Sequence, residues 1–357
     1  MIRPIHSFFG AIALVCSLFL AAEAGAEQAY LPYENEIVVT DTATLKEVTR
    51  IDVGARARGI AFSPDGRRAY VSLNSLNRVS VIDTATYQVV ETYATPAGPV
   101  GLTVTSDSRY LYVAGNSANV VRIIDTRDKT FTDLNSCVSP FLFRMSKDGQ
   151  KAYVVCRTSD ELSVIDTASR TLLTPIPVTT SGIVVGADIS PDGSRLYTSH
   201  FFGVHLSVVD TATGQKITHK PVTTDYFDIL ISPDGQYAYL NAAKSGFVDV
   251  MRLSDLEVVN TLSVSGESMG MSLSPDGHFL YLMGNSGQTT TVFDTRTGQT
   301  VGTLPSLIHN RFVGSFITPP PAAAAVPTLG QWGMILMGLM LAGGAGLVIS
   351  RRRASQA

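Results

Sequence analysis

From residue 28 to about residue 318 the apolar positions fall in short runs of four to six. These runs are rich in Val, Ile, Tyr and Thr, and nearly every one is closed off by Gly, Pro, Asp or Asn. That pattern predicts short strands joined by tight turns. One stretch shows the unit: residues 59–62, 69–72, 78–82 and 88–92 each read as a strand, with turn residues between them. No part of this region spaces its apolar residues like an amphipathic helix.

The turns themselves recur. Ser63-Pro64-Asp65-Gly66 returns as Thr105-Ser106-Asp107-Ser108, Ser146-Lys147-Asp148-Gly149, Ser190-Pro191-Asp192-Gly193, Ser232-Pro233-Asp234-Gly235 and Ser274-Pro275-Asp276-Gly277. The steps between the aspartates are 42, 41, 44, 42 and 42 residues. A second marker, Asp-Thr, falls at Asp41, Asp83, Asp125, Asp166, Asp210 and Asp294, with Arg252 in the slot between the last two. In the first marker Pro presets φ, Asp accepts backbone N–H groups and Gly takes a positive φ. In the second, the Asp carboxylate does the same for the next hairpin.

Seven four-stranded units of about 42 residues are the signature of propeller blades, an open β-solenoid being the other architecture built from such repeats. Two features favour closure. Ala29-Tyr30-Leu31 matches the second strand of a unit, and residues 311–317 match the first strand of one, so a single blade is divided between the ends. Seven copies also suit a ring. The predicted fold is all-β: a seven-bladed β-propeller of four-stranded antiparallel blades, closed by pairing of N- and C-terminal strands, with terminal signal and transmembrane helices outside it. The strings AYVSLNSLNRVSVIDTATYQVVETY and AYVVCRTSDELSVIDTASRTLL resemble the YVTN-type surface-layer β-propeller repeat over residues 29–318. The resemblance implies the fold; relatives of this type include surface-layer proteins, lactone hydrolases and redox enzymes, so it implies no one activity.

The two ends add targeting. Arg3, an apolar run over residues 8–22 and Ala24-Gly25-Ala26 read as a secretory signal, cleaved before Glu27 or, on the other reading, kept as an anchor. At the C-terminus a Pro/Ala linker precedes an uncharged span from Trp332 to Ile349 and the cluster Arg351, Arg352, Arg353. By the positive-inside rule the arginines stay cytoplasmic and the body faces outward. The sequence Val326-Pro327-Thr328-Leu329-Gly330-Gln331-Trp332-Gly333, the span and the arginines resemble in order the IPTL-type C-terminal sorting domain, with Val in place of the usual Ile. This implies recognition and cleavage by an exosortase-type transpeptidase; a plain tail anchor is the alternative. The expected organisation is signal peptide 1–26, propeller 27–318, linker and sorting motif 319–331, and transmembrane span with arginines 332–353.

Charge narrows the partners. The chain has 27 basic and 30 acidic residues, and the two terminal segments hold four of the bases and one of the acids, which leaves the body near −6. Such a body repels a phosphate backbone, so nucleic acid is not an expected partner. The expected partners are signal peptidase, the exosortase-type enzyme, the inner membrane and a surface ligand, protein or polysaccharide.

Chemistry is sparse. Seven positions where the blades begin, Arg58, Val100, Phe141, Val185, Phe227, Met269 and Arg311, form a mostly apolar ring. Two residues earlier, Asp225, Glu267, His309 and Arg56 come from four consecutive blades and are the best polar cluster, either a base with carboxylates or a solvated rim of ion pairs. His200 and His205 share the segment SHFFGVH, read as a loop, and are the candidate metal ligands, with no third ligand set by spacing. Beside them Phe201 and Phe202 either pack the loop onto the next blade or form an exposed patch. Cys137 and Cys156 remain as an even pair after export, and centring their hairpin on Asp148-Gly149 puts Cys156 opposite Phe141, so a disulfide is open to them. No phosphate loop, Cys-X-X-Cys pair or nucleophile elbow occurs, and no cofactor is expected. The expectation is an exported, membrane-anchored protein sorted to the cell surface or matrix, a non-catalytic binding or adhesion module; the alternative is an envelope hydrolase of the lactonase-like propeller type.

Overall fold

The computed structural model describes residues 27–178, 182–264, 266–284, 289–306 and 312–320. The expected signal segment, His309, Arg311, the sorting motif, the expected membrane span and the arginine cluster lie outside them. Among the described residues no helix is long and apolar enough to cross a membrane.

Six blades are four-stranded antiparallel meanders, and a seventh is divided between the chain ends. Blade 1 contributes Gln28–Tyr33, Glu36–Asp41 and Lys46–Asp52. Blade 2 runs Gly59–Phe62, Arg68–Leu73, Arg78–Asp83 and Gln88–Ala94, within two residues of the strands read from its pattern. The inner strands of the next five blades are Pro99–Val104, Pro140–Met145, Ile183–Ile189, Asp228–Ile231 and Ser268–Leu273. In blade 4 the outer strand breaks into Thr171–Leu172 and Ile176–Pro177, because Pro175 and Pro177 bring no N–H to the ladder. The middle strands alternate between two packed faces and are buried along most of their length, whereas outer strands such as Lys46–Asp52 are largely exposed.

The Ser-Pro-Asp-Gly turn holds each inner hairpin as its residue types predict. Arg68 N donates to Ser63 Oγ at 2.9 Å, Ser63 Oγ to Asp65 Oδ1 at 2.6 Å, and Gly66 takes a φ of 69°. Blade 3 has Ser108 at the glycine position and carries a φ of 60° there without one.

At the seam the C-terminal segment stands where the inner strand of blade 1 belongs, but it is not a regular strand. Ile317 bridges Ala29 antiparallel, while Val313 bridges Gly59 of blade 2 in parallel. Gly314, with a φ of 96°, turns the chain from one partner to the other, and a Cβ there would lie 2.0 Å from Ile60 O. Tyr30 N donates to Phe316 O at 2.8 Å. The seam also rebuilds the turn without a covalent link. Thr318 N donates to Gln28 O at 2.9 Å and Gln28 N to Thr318 Oγ1 at 3.0 Å, the same exchange that Ser63 makes with Arg68. Pro319 then sits beside Gly66 as Pro191 sits beside Gly235 of the following blade.

Candidate functional site

The inner strands surround a central channel, and at the mouth, where the blades begin, side chains stopper it. In blades 3, 4, 5 and 7 the inner strand carries a β-bulge at the start, which leaves Val100, Phe141, Val185 and Met269 out of the ladder. A bulge re-aims the side chain it frees. Val100, Phe141, Val185, Phe227 and Val313 are all buried and belong to one apolar cluster although they come from five blades. Four positions of the ring read from the sequence, joined by Val313, therefore form a plug.

Directly below the plug, the next residue faces the backbone of the neighbouring blade. A Cβ at Gly59 would lie 2.3 Å from Val100 O, at Gly101 2.3 Å from Phe141 O, and at Gly270 2.8 Å from Phe312 O. The equivalent residue in blade 6 is Asp228, a carboxyl in a slot that four of the six complete blades fill with glycine. It borders a cavity of about 520 Å³ that opens toward the Ser-Pro-Asp-Gly end. Arg144 and Asp188 border the same cavity and form an ion pair, Nε to Oδ1 at 3.1 Å, while Asp188 Oδ2 accepts Ile231 N at 2.8 Å. Burial raises the Asp228 carboxyl to about 6 against the pull of Arg144. Sequence reading missed this trio; the signal was Asp228 itself, an acid where the register calls for glycine.

Two arginines stand at the mouth. Arg58 comes from the first ring position and Arg157 follows the second strand of blade 4, with its guanidinium carbon 5.0 Å from the centre of the Phe141 ring. Both Nε atoms are buried without an acceptor, and neither side chain has a carboxylate partner among the described residues. Desolvation lowers both pKa values, and for Arg58 the charge of Arg157 adds to it. Phe141, Phe227 and Phe201 continue the row at centroid separations of 6.4 and 6.5 Å, and Lys244 Nζ caps the far end 4.8 Å over Phe201.

Of the rim cluster, Arg56, Asp225 and Glu267 are among the described residues. Arg56 and Asp225 form no ion pair, and Asp225 Oδ1 is buried without a hydrogen bond. Glu267 is exposed, and His309 is not among the described residues.

His200 and His205 are not in a loop. They close the strands Arg195–Phe201 and His205–Asp210, both buried, across a tight turn with positive φ at Phe202 and Val204. Their rings stack at 4.1 Å, and His219 from the outer strand stacks on His205 at 3.9 Å. Ring nitrogens in stacked planes do not converge on one point, and among the described residues no group of three His, Cys, Asp or Glu is arranged for a metal. His200 Nε2 instead meets the hydroxyls of Thr198 and Ser207, and burial pushes its pKa down to about 3. Of the neighbouring phenylalanines, Phe201 is buried and Phe202 is 64% exposed, with Lys244 over both rings.

Cys137 and Cys156 are joined, with Cα atoms 6.0 Å apart. Cys156 pairs with Pro140 and not with Phe141, because the bulge inserts one residue into the inner strand.

Residues 324–354 match the IPTL-CTERM motif. The tail carries that sorting motif. Residues 34–143 match the family described as YNCE-like beta-propeller. No curated protein matches the chain. Among solved structures, the chain is similar to hydrazine synthase of Kuenenia stuttgartiensis at 22% identity and a TM-score of 0.66, covering 74% of this chain and 90% of that one. It is similar to a functionally unknown protein from Desulfotomaculum acetoxidans at 16% identity and a TM-score of 0.70, covering 82% and 99%. It is also similar to the dihydro-heme d1 dehydrogenase NirN at 17% identity and a TM-score of 0.59, covering 80% and 74%. At such identities the likeness is one of fold. The IPTL-CTERM motif following a propeller marks the chain as an exported surface protein.

Proposed function

We propose that this protein is a cell-surface propeller that binds its ligand without transforming it, and that an exosortase-type enzyme cuts its tail near Val326-Pro327-Thr328-Leu329. The observation that carries the reading is the IPTL-CTERM motif placed directly after a closed propeller. Export through a signal cleaved before Glu27 and transient anchoring by the span ending at Arg351, Arg352 and Arg353 belong to the same proposal. The stoppered mouth supports binding on the outside of the ring, since the plug occupies the space where a substrate would descend. The intact mass of protein taken from the cell surface tests the sorting step. Loss of the segment after the motif is the expected result; a chain still ending at Ala357 overturns it.

The hydrolase alternative rests on one specific observation, the Asp228 carboxyl held at about 6 beside Arg144 and Asp188 in the channel. A lactone hydrolysis screen combined with metal analysis separates the two readings. Turnover that Asp228→Asn abolishes would favour the enzyme.

A further inference from the structure

We infer that the channel mouth above Phe141 is a binding site for a single carboxylate, held by Arg58 and Arg157. The inference rests on the binding reading above and names the chemistry of its ligand.

Three observations carry it. First, two guanidinium groups stand together with buried Nε–H donors that find no acceptor among the described residues. Leaving such donors unmet is costly, and an oxyanion beside the two guanidinium groups offsets both charges through charge-assisted bonds. Second, the floor is aromatic and dry. Phe141 lies under Arg157, and the row Phe141–Phe227–Phe201 runs across three blades to Lys244. A cation over an aromatic floor, ion-paired to no carboxylate among the described residues, keeps an unspent charge in a poorly hydrated place, where a ligand anion interacts strongly. Third, Phe202 stands 64% exposed beside Lys244 near the same end, a flat apolar surface for a ring-bearing ligand.

The charge balance selects a monoanion. Asp225 and Glu267 belong to the same end of neighbouring blades, and the body as a whole is acidic. A phosphate dianion meets that repulsion twice over for the same two guanidiniums. A carboxylate on a sugar-like ring matches both the two cations and the aromatic surface. It can belong to a free small acid or hang from an acidic polysaccharide.

Calorimetry on the purified full-length protein in detergent decides it, with D-glucuronate as probe, glucose as its neutral counterpart, inorganic phosphate as the dianion and a polyuronate as the polymer. Glucuronate is expected to bind while glucose does not. In R58Q/R157Q the affinity is expected to fall at least about thirtyfold, with R58K/R157K falling less. A polyuronate that binds more tightly per carboxylate than glucuronate assigns the site to a polymer; equal affinity assigns it to a small acid. The inference is overturned if glucuronate gives no more heat than glucose, if phosphate binds more tightly, or if R58Q/R157Q melts normally and binds as before. Should that double variant fail to fold, the ranking of the four probes on the unaltered protein still decides. None of these outcomes bears on the tail, whose processing is read separately by mass.

Discussion

Asp83 and Thr84 look like one turn signature but hold different things. Asp83 Oδ1 accepts the N–H groups of Ala85 and Thr86 inside its own hairpin. Thr84 Oγ1 reaches out of it and donates to Gly66 O at 2.6 Å, tying the hairpin to the Ser-Pro-Asp-Gly turn of the same blade. The tie recurs from Thr167 to Gly149 O and from Thr211 to Gly193 O, each at 2.6 Å, and from Thr295 to Gly277 O at 2.7 Å. Thr211→Val keeps the shape and removes the donor. It is expected to lower stability by about 1 kcal/mol in urea titrations. Blade 6 has Leu253 in that slot and keeps only the backbone bond from Leu253 N to Gln236 O. The histidine stack gives a second expectation. His200 is held neutral, so the unfolded chain binds more protons than the folded one below its ordinary pKa. Stability is therefore complete above about pH 6.5 and declines as pH falls toward 3, by at most about 1.4 kcal/mol per pH unit. Urea midpoints between pH 7 and pH 4.5 check this, and His200→Gln should flatten the slope. The Asp-Thr and Ser-Pro-Asp-Gly residues were legible in the sequence because turn chemistry is local. The histidines were not: Gly203 and two aromatics read as a loop, while the strands in fact continue to a tight turn that forces positive φ on Phe202 and Val204.

The inner strand does the work of joining blades, and it does so at a glycine. Gly101→Ala would place a Cβ 2.3 Å from Phe141 O and 2.8 Å from Leu142 Cα, both backbone atoms that cannot rotate away. A loss of about 2–4 kcal/mol is expected, seen as a lower denaturant midpoint. The existence and bounds of these strands followed from alternation and turn spacing. Their bulges did not, because a bulge adds a residue without changing composition, and the one between Pro140 and Leu142 shifted the predicted partner of Cys156 by one position. The same slip explains why the ring from Val100 to Phe227 was legible as a set of positions and not as a stopper. Asp228 was missed for a different reason: it is conspicuous only when the blades are laid over one another at the glycine.

At the scale of the whole molecule, the ring depends on a few contacts at its seam. Deleting the chain from Leu307 onward removes the Phe316, Thr318 and Val313 hydrogen bonds together and leaves Gln28–Tyr33 as an open strand edge. Loss of a cooperative melt is the expected outcome; a truncated protein that melts like the full chain would rule out closure as the source of stability. The divided blade was readable from the unmatched strands at the two ends. Its irregular form was not, since Gly314 serves two neighbours at once and no local pattern announces that.

The rebuilt turn at Thr318 has a mechanical meaning. The described chain leaves the propeller at Pro319 and Pro320, at the end of the inner strands away from Arg58 and Arg157. Tension between a ligand held at the mouth and the chain beyond Pro320 therefore runs along the inner strands. Antiparallel hydrogen bonds lie across the strand direction, so the bonds of Thr318 and Phe316 to Gln28 and Tyr30 share such a load side by side and do not open in succession. Under the proposed tethering by this end, drag would load the seam in shear, across several hydrogen bonds together, and the non-covalent join that looks like the ring's weak point would be turned to face that load.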